Sequence, residues 1–138
     1  MRFMMLMIPE GYATASPDKT PDAEAVAAMM KYNEALKEAG VLLSLDGLHP
    51  PSDGVRVSFP GGRPKITHGP FAETREALGG YWMIQVKSKD EAIAWASRIP
   101  VHDNSVVEIR QIFEMEEFPQ EIQKAAGDFP ERMKQAQR

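Results

Sequence analysis

The chain contains no cysteine, which excludes disulfides, thiolate nucleophiles and zinc–thiolate sites. It has no strong excess of charge either: 16 basic and 20 acidic side chains leave a net charge of −4, so nucleic acid and anionic membrane are not expected partners. No apolar run approaches the roughly 20 residues of a membrane-spanning helix. The apolar opening, residues 1–8, stops at Pro9 without a signal-peptide cleavage site, so we interpret it as a buried strand and expect a cytoplasmic protein.

The 138 residues suit a single domain, with a polar helical tail expected over residues 114–138. Hydrophobic periodicity predicts the order strand, helix, strand, hairpin, strand, helix, strand. The expected strands cover 2–8, 41–48, 55–59, 63–67, 81–86 and 105–113, and the helices follow an N-cap at Thr20 and a capping box at Ser88. This order predicts an α+β fold with an antiparallel sheet, a ferredoxin-like βαββαβ subunit with an extra β-hairpin.

The first strand is apolar on both of its alternating faces, which is typical of a central strand covered on both sides. Two helices on one face of a sheet leave the other face bare, so we expect a homodimer that packs through its sheets. Residues 55–59 alternate apolar and polar side chains, which predicts a half-buried strand.

The segment 67–82 combines residues that disfavour regular structure with residues that can do chemistry. Gly69, Pro70, Gly79 and Gly80 punctuate it, and the reactive side chains between them are His68, Glu73, Arg75 and Glu76. Loops held by a rigid scaffold carry binding and catalysis more often than cores do. We therefore look for a site in this segment.

Histidine is scarce, and imidazole is suited to acid/base work near neutral pH. His68 and His49 are the candidate catalytic residues, although each could instead cap a turn or face solvent. As two metal ligands they would need Asp46, Asp53 or Glu73 to converge on them, and no recognised ligand spacing is present. The sequence therefore predicts neither a metal nor another cofactor.

Four more residues are candidates for binding a substrate. Arg75 could grip a carboxylate in a bidentate manner, and Glu73 could orient the same ligand, or both could simply form surface ion pairs. Tyr81 and Trp82 alternate in a strand, so one faces the helices and the other could line a cleft.

The order and spacing of several motifs resemble the YCII-related family, and within it the group named after a DGPF motif. The matching segments are Tyr32-Asn33-Glu34, residues 39–43, Gly47-Leu48-His49-Pro50, residues 69–76 with 79–81, and residues 107–110. The resemblance implies a dimeric α+β barrel of ferredoxin-like subunits with a cleft in each. The motif normally begins with Asp, where this chain has His68, and the first helix lacks the histidine that other relatives pair with an aspartate.

Two functions remain open from the sequence. One is a binder of, or enzyme acting on, a small organic acid by acid/base chemistry, because relatives of this fold include lactone isomerases and a dehalogenase. The other is a non-catalytic regulatory module that docks through the tail, with Phe118 and Phe129 as anchors. Some members of the resembling group are encoded beside extracytoplasmic-function sigma factors, which suggests a partner for this second function.

Overall fold

A computed structural model of the chain describes residues 1–18, 20–101 and 103–136. The strands are β1 Arg2–Ile8, β2 Leu42–Gly47, β3 Val55–Ser58, β4 Lys65–His68, β5 Gly80–Gln85 and β6 Val106–Gln111. The helices are α1 Ala23–Glu38, α2 Lys89–Ala96, α3 Gln120–Ala126 and α4 Phe129–Ala136.

The main sheet has the order β2–β5–β1–β6, and every pairing in it is antiparallel. β1 lies between β5 and β6, which confirms the central position predicted from its two apolar faces. With α1 and α2 as crossovers, this is a ferredoxin-like α+β arrangement, and the predicted fold class is confirmed. β3 and β4 form a separate hairpin, which lies between β2 and β5 in the sequence but not in the sheet.

The core lies between the helices and one face of the sheet. Phe3, Met5 and Met7 point to this face and are almost fully buried, together with Leu36 of α1 and Ala92 of α2. Burying each large apolar side chain contributes about 1.5–3 kcal/mol. The intervening residues of β1 point to the other face, which no helix of this core covers.

The helix boundaries differ slightly from the sequence prediction. Asp22, rather than Thr20, caps α1, because its carboxylate accepts a hydrogen bond from the Ala25 amide at 2.7 Å. Ser88 caps α2 as predicted. On α2, the side chain of Ile93 is 45% exposed beside the edge strand β6.

The prediction that residues 55–59 form a half-buried strand is wrong for the isolated chain. All of β3 is exposed, and so is all of β4. The alternation is present, but β3 pairs with β4 alone among the described strands, and the described part of the chain leaves the apolar side of the hairpin exposed.

The tail, residues 114–136 as described, is fastened to the sheet at one point. Arg2 donates two hydrogen bonds to the Glu114 carboxylate, at 2.7 and 3.0 Å, and Phe118 packs on Phe113 with 5.0 Å between ring centroids.

Among the described residues, no helix is both long and apolar enough to cross a bilayer.

Candidate functional site at the end of strands β2 and β5

The candidate site is built where β2 and β5 end and two loops meet. The close approach of the strands requires glycine, since a Cβ on Gly80 would lie 2.8 Å from the carbonyl oxygen of Asp46. Beyond the strands, Leu48 donates its amide to Gly79 at 2.9 Å. The turn that follows β2 is then joined to the loop that follows β4, because the Gly69 amide donates to the Gly54 carbonyl at 2.8 Å.

His49 and Asp53 form a pair on this turn. His49 Nδ1 and Asp53 Oδ2 are 2.9 Å apart, and the tight helical turn Pro51–Asp53 brings them together at a spacing of four residues. The His49 side chain is 83% exposed, so its Nε2 is open to solvent. The hydroxyl of Tyr12 donates to the carbonyl of Leu48 and so fastens the backbone just before His49.

A second polar pair lies on the face of the sheet away from the helices. Tyr81 and Asp46 are paired across β5 and β2, and the tyrosine hydroxyl donates to the carboxylate at 2.9 Å. This hydrogen bond raises the pKa of Tyr81, because ionisation would place two negative charges side by side. Tyr81 therefore serves as a hydrogen-bond donor rather than as a base near neutral pH.

The loop after β4 is tied to the hairpin through Arg56. Its guanidinium donates to Thr74 Oγ1 at 2.7 Å and lies 4.1 Å from the centre of the Phe71 ring. These contacts occupy Arg56 with structural partners, and they orient the segment that carries Glu73 and Arg75.

Trp82 lies on the helix side of the sheet. Its side chain is only 6% exposed, and its indole N–H donates to Asn33 of α1 at 2.7 Å. The neighbouring Tyr32 donates to the Trp95 carbonyl at 2.7 Å, and burial raises the pKa of Tyr32 to about 12. Trp82 therefore connects the sheet to α1, and Tyr32 connects α1 to α2. A ligand contact by Trp82 stays a prediction.

The remaining candidate residues are exposed. His68 ends β4 opposite Val55, and it has no hydrogen-bond partner within the described part of the chain. Glu73 and Arg75 project from the following loop, and neither forms an ion pair with another described residue. His102, the third histidine of the sequence, lies outside the described residues.

The sequence suggests Asp53 and Asp46 only as possible metal ligands. In the structure, Asp53 pairs with His49 and Asp46 pairs with Tyr81. The spacing of four between His49 and Asp53 was a usable signal for direct pairing in a tight turn. No group of three or more acidic or histidine side chains among the described residues is arranged to hold a metal ion.

The side chains of the His49–Asp53 pair are 83% and 43% exposed. Two open depressions lie elsewhere, one between α2 and β6 and one between the start of β1 and the tail. Lys89 and Arg110 line the first, and Arg2 and Lys134 line the second. The pairs His49–Asp53 and Tyr81–Asp46 therefore lie on the surface of the single chain.

The sheet order, the two crossover helices and the inserted hairpin define a ferredoxin-like α+β protein with polar pairs at one end of its sheet. The family model of the YCII-related domain matches residues 1–116, and the chain belongs to this family. It is also 28% identical over 96 residues to an uncharacterized protein of Rhizobium meliloti (strain 1021), a match that covers 70% of this chain and 77% of that protein.

Proposed function

We propose that this YCII-related protein binds a small organic acid and acts on it by acid/base chemistry at the His49–Asp53 pair. The observation that carries the proposal is the 2.9 Å contact between His49 Nδ1 and Asp53 Oδ2 beside an exposed imidazole. A carboxylate that accepts the Nδ1 proton leaves the lone pair on Nε2, where the ring can take a proton from a ligand. This arrangement could replace the helix histidine that the chain lacks.

In this proposal the ligand carboxylate is held by Arg75, whose guanidinium is exposed and can form two parallel hydrogen bonds. Tyr81 offers a hydroxyl at the adjacent end of the sheet. Glu73 and His68 assist in orientation and proton transfer, and Trp82 supports the sheet from behind. The roles of Arg75 and Glu73 require the part of the loop beyond Gly69 to fold toward the turn that carries His49.

We also propose that two copies pack through their uncovered sheet faces to form a dimeric α+β barrel. The support is the row Met4, Leu6 and Ile8, which is apolar yet only half-buried because no helix of the core covers it. Apolar surfaces of this kind are typical of subunit interfaces. Dimerisation would also reduce the exposure of Tyr81 and Asp46.

The experiment that tests the acid/base site follows the His49 ring resonances by NMR while a panel of small organic acids is added. At least one compound should shift these resonances, and Asp53→Ala should weaken the binding of that compound about tenfold, because the imidazole loses its orienting partner. Asp90→Ala is the matched control, since Asp90 is an exposed carboxylate in the first turn of α2, which follows the end of β5 opposite to the pair. If no compound moves the His49 signals, or if both variants behave alike, the proposed site is wrong.

A second candidate function is that of an interaction module, which the exposed apolar side chains of the tail favour. Ile122, Phe129 and Met133 are 49%, 56% and 41% exposed, whereas Phe118 is already packed on Phe113. Of the two expected anchors, Phe129 is the one free to dock. Phe129→Ser should abolish capture of an extracytoplasmic-function sigma factor, and Glu131→Ser should not. Equal capture by both variants, or none by the wild-type protein, contradicts this function.

A further inference from the structure

The hairpin of β3 and β4 carries an apolar face without a partner in its own chain. Val55, Val57 and Phe59 follow one side of β3, and Ile66 stands directly opposite Val57 on β4. Their exposures are 53%, 52%, 65% and 63% in the same order, with Ile66 last. A two-stranded hairpin alone is only marginally stable in water, so a face of this kind normally packs against another layer.

The opposite face of the hairpin is already in use. Arg56 points to that side, where it contacts Thr74 and the Phe71 ring. These contacts, together with the hydrogen bond between Gly69 and Gly54, fix the hairpin to its own loop. The apolar face is thereby presented away from the residues that hold the hairpin in place.

A matching surface exists on the same chain. The uncovered side of the main sheet presents Met4, Leu6 and Met83, which are half-buried and lie side by side across β1 and β5. One chain thus has both the exposed apolar face of the hairpin and the uncovered apolar face of the sheet, and its hairpin does not lie on its own sheet. In a pair of copies, the hairpin of each can pack on the sheet of the other, which gives a closed two-fold symmetric dimer.

The charge distribution favours the same occupant. Residues 55–68 contain Arg56, Arg63 and Lys65 and no acidic side chain, which gives the hairpin a charge of +3. Because the whole chain carries −4, the remainder carries −7. The hairpin is therefore attracted to the body of another copy and repelled by the hairpin of another copy.

We propose that the β3–β4 hairpin is an arm with which each copy of the chain grips the uncovered sheet face of a second copy. The proposal rests on the dimer proposed above, and it adds the partner's hairpin to the surfaces that cover the sheet face in that dimer. His68 lies on the same side of the hairpin as Val55, so the arm carries this residue of the motif to the subunit interface. The alternating pattern of residues 55–59, exposed in the single chain, is then half-buried as its sequence predicts.

The test compares Val57→Glu with Ser58→Glu by sedimentation equilibrium over a wide range of protein concentration. Both variants add the same charge to adjacent positions of β3, but Val57 lies on the apolar face and Ser58 on the other. The wild-type protein should be a dimer. Val57→Glu should raise the dimer dissociation constant at least about tenfold, because one buried valine contributes more than that factor, and Ser58→Glu should stay within about twofold. Matching circular dichroism of both variants verifies that the chain remains folded.

Each other outcome has a distinct meaning. If the wild-type protein is a dimer and both variants leave it intact, the proposed role of the hairpin is wrong, whereas the proposed dimer is supported. A wild-type protein that is a monomer at every concentration contradicts both the dimer and the role of the hairpin in it, while the NMR experiment still decides the His49–Asp53 site.

A second measurement uses the photocrosslinking variant Phe59→benzoyl-Phe in a mixture of isotopically labelled and unlabelled copies of the chain. It should join different copies at β1 or β5, and crosslinks confined to single chains, or none, overturn the arm.

Discussion

The carbonyl oxygen of Pro51 occupies the space that a side chain on Gly69 would need. A Cβ on Gly69 would lie 1.7 Å from that oxygen, and the Gly69 amide donates to the Gly54 carbonyl at 2.8 Å. The glycine of the motif therefore allows the loop after β4 to lie directly on the turn that carries His49 and Asp53. Its role is to bring two backbone segments together, whatever chemistry the neighbouring side chains perform.

Replacing Gly69 should separate these segments. We expect Gly69→Ala to lower the free energy of unfolding by about 2 kcal/mol or more, because backbone atoms must move to admit the methyl group. Gly47→Ala is the matched control, since its Cβ would find only the Gly79 carbonyl oxygen at 3.9 Å. Urea denaturation of the two variants measures the difference, and equal stability would show that the loop does not rest on Pro51.

Asn33 should stabilise the contact between α1 and the sheet. Asn33→Ala leaves the buried Trp82 indole N–H without its acceptor and should cost about 1–3 kcal/mol. Asn33→Asp keeps an acceptor oxygen at the same place and should lose clearly less. Chemical denaturation followed by tryptophan fluorescence distinguishes the variants, and similar losses in both would argue against this hydrogen bond.

The attachment of the tail should depend on pH. The hydrogen bonds from Arg2 lower the pKa of Glu114 in the folded chain relative to the ordinary value of 4.5. Their contribution to stability is therefore complete above pH 4.5 and is lost as the pH falls through the lowered value. The pair is partly exposed, so we expect Glu114→Gln to cost about 1 kcal/mol or less near pH 7.

The measurement is the free energy of unfolding of the wild-type protein and Glu114→Gln between pH 7 and pH 3, with Glu116→Gln as the control. Glu116 is an exposed neighbour without an ion-pair partner among the described residues. The gap between the wild-type protein and Glu114→Gln should close on acidification. A gap that is independent of pH, or one that Glu116→Gln reproduces, would contradict the assignment.

The fold was largely predictable because its signals are local. The two apolar faces of β1, the cap at Ser88 and the alternation of β5 each follow from side chains that are neighbours along the chain. The start of α1 was displaced by two residues because Thr20 and Asp22 are both good caps, and only the observed hydrogen bond to Ala25 decides between them.

The amino-acid sequence by itself determined the strands of the sheet, its two crossover helices and the segments that belong to the candidate site. Only the tertiary structure decided that Asp53 rather than another carboxylate pairs with His49, that Asp46 accepts from Tyr81 and that Gly69 rests on Pro51. The reason is physical: periodicity specifies which face a residue occupies, whereas contacts between loops depend on strand register and turn geometry. The β3–β4 hairpin lies between these cases, since its sequence specifies an apolar face that stays exposed in the single chain.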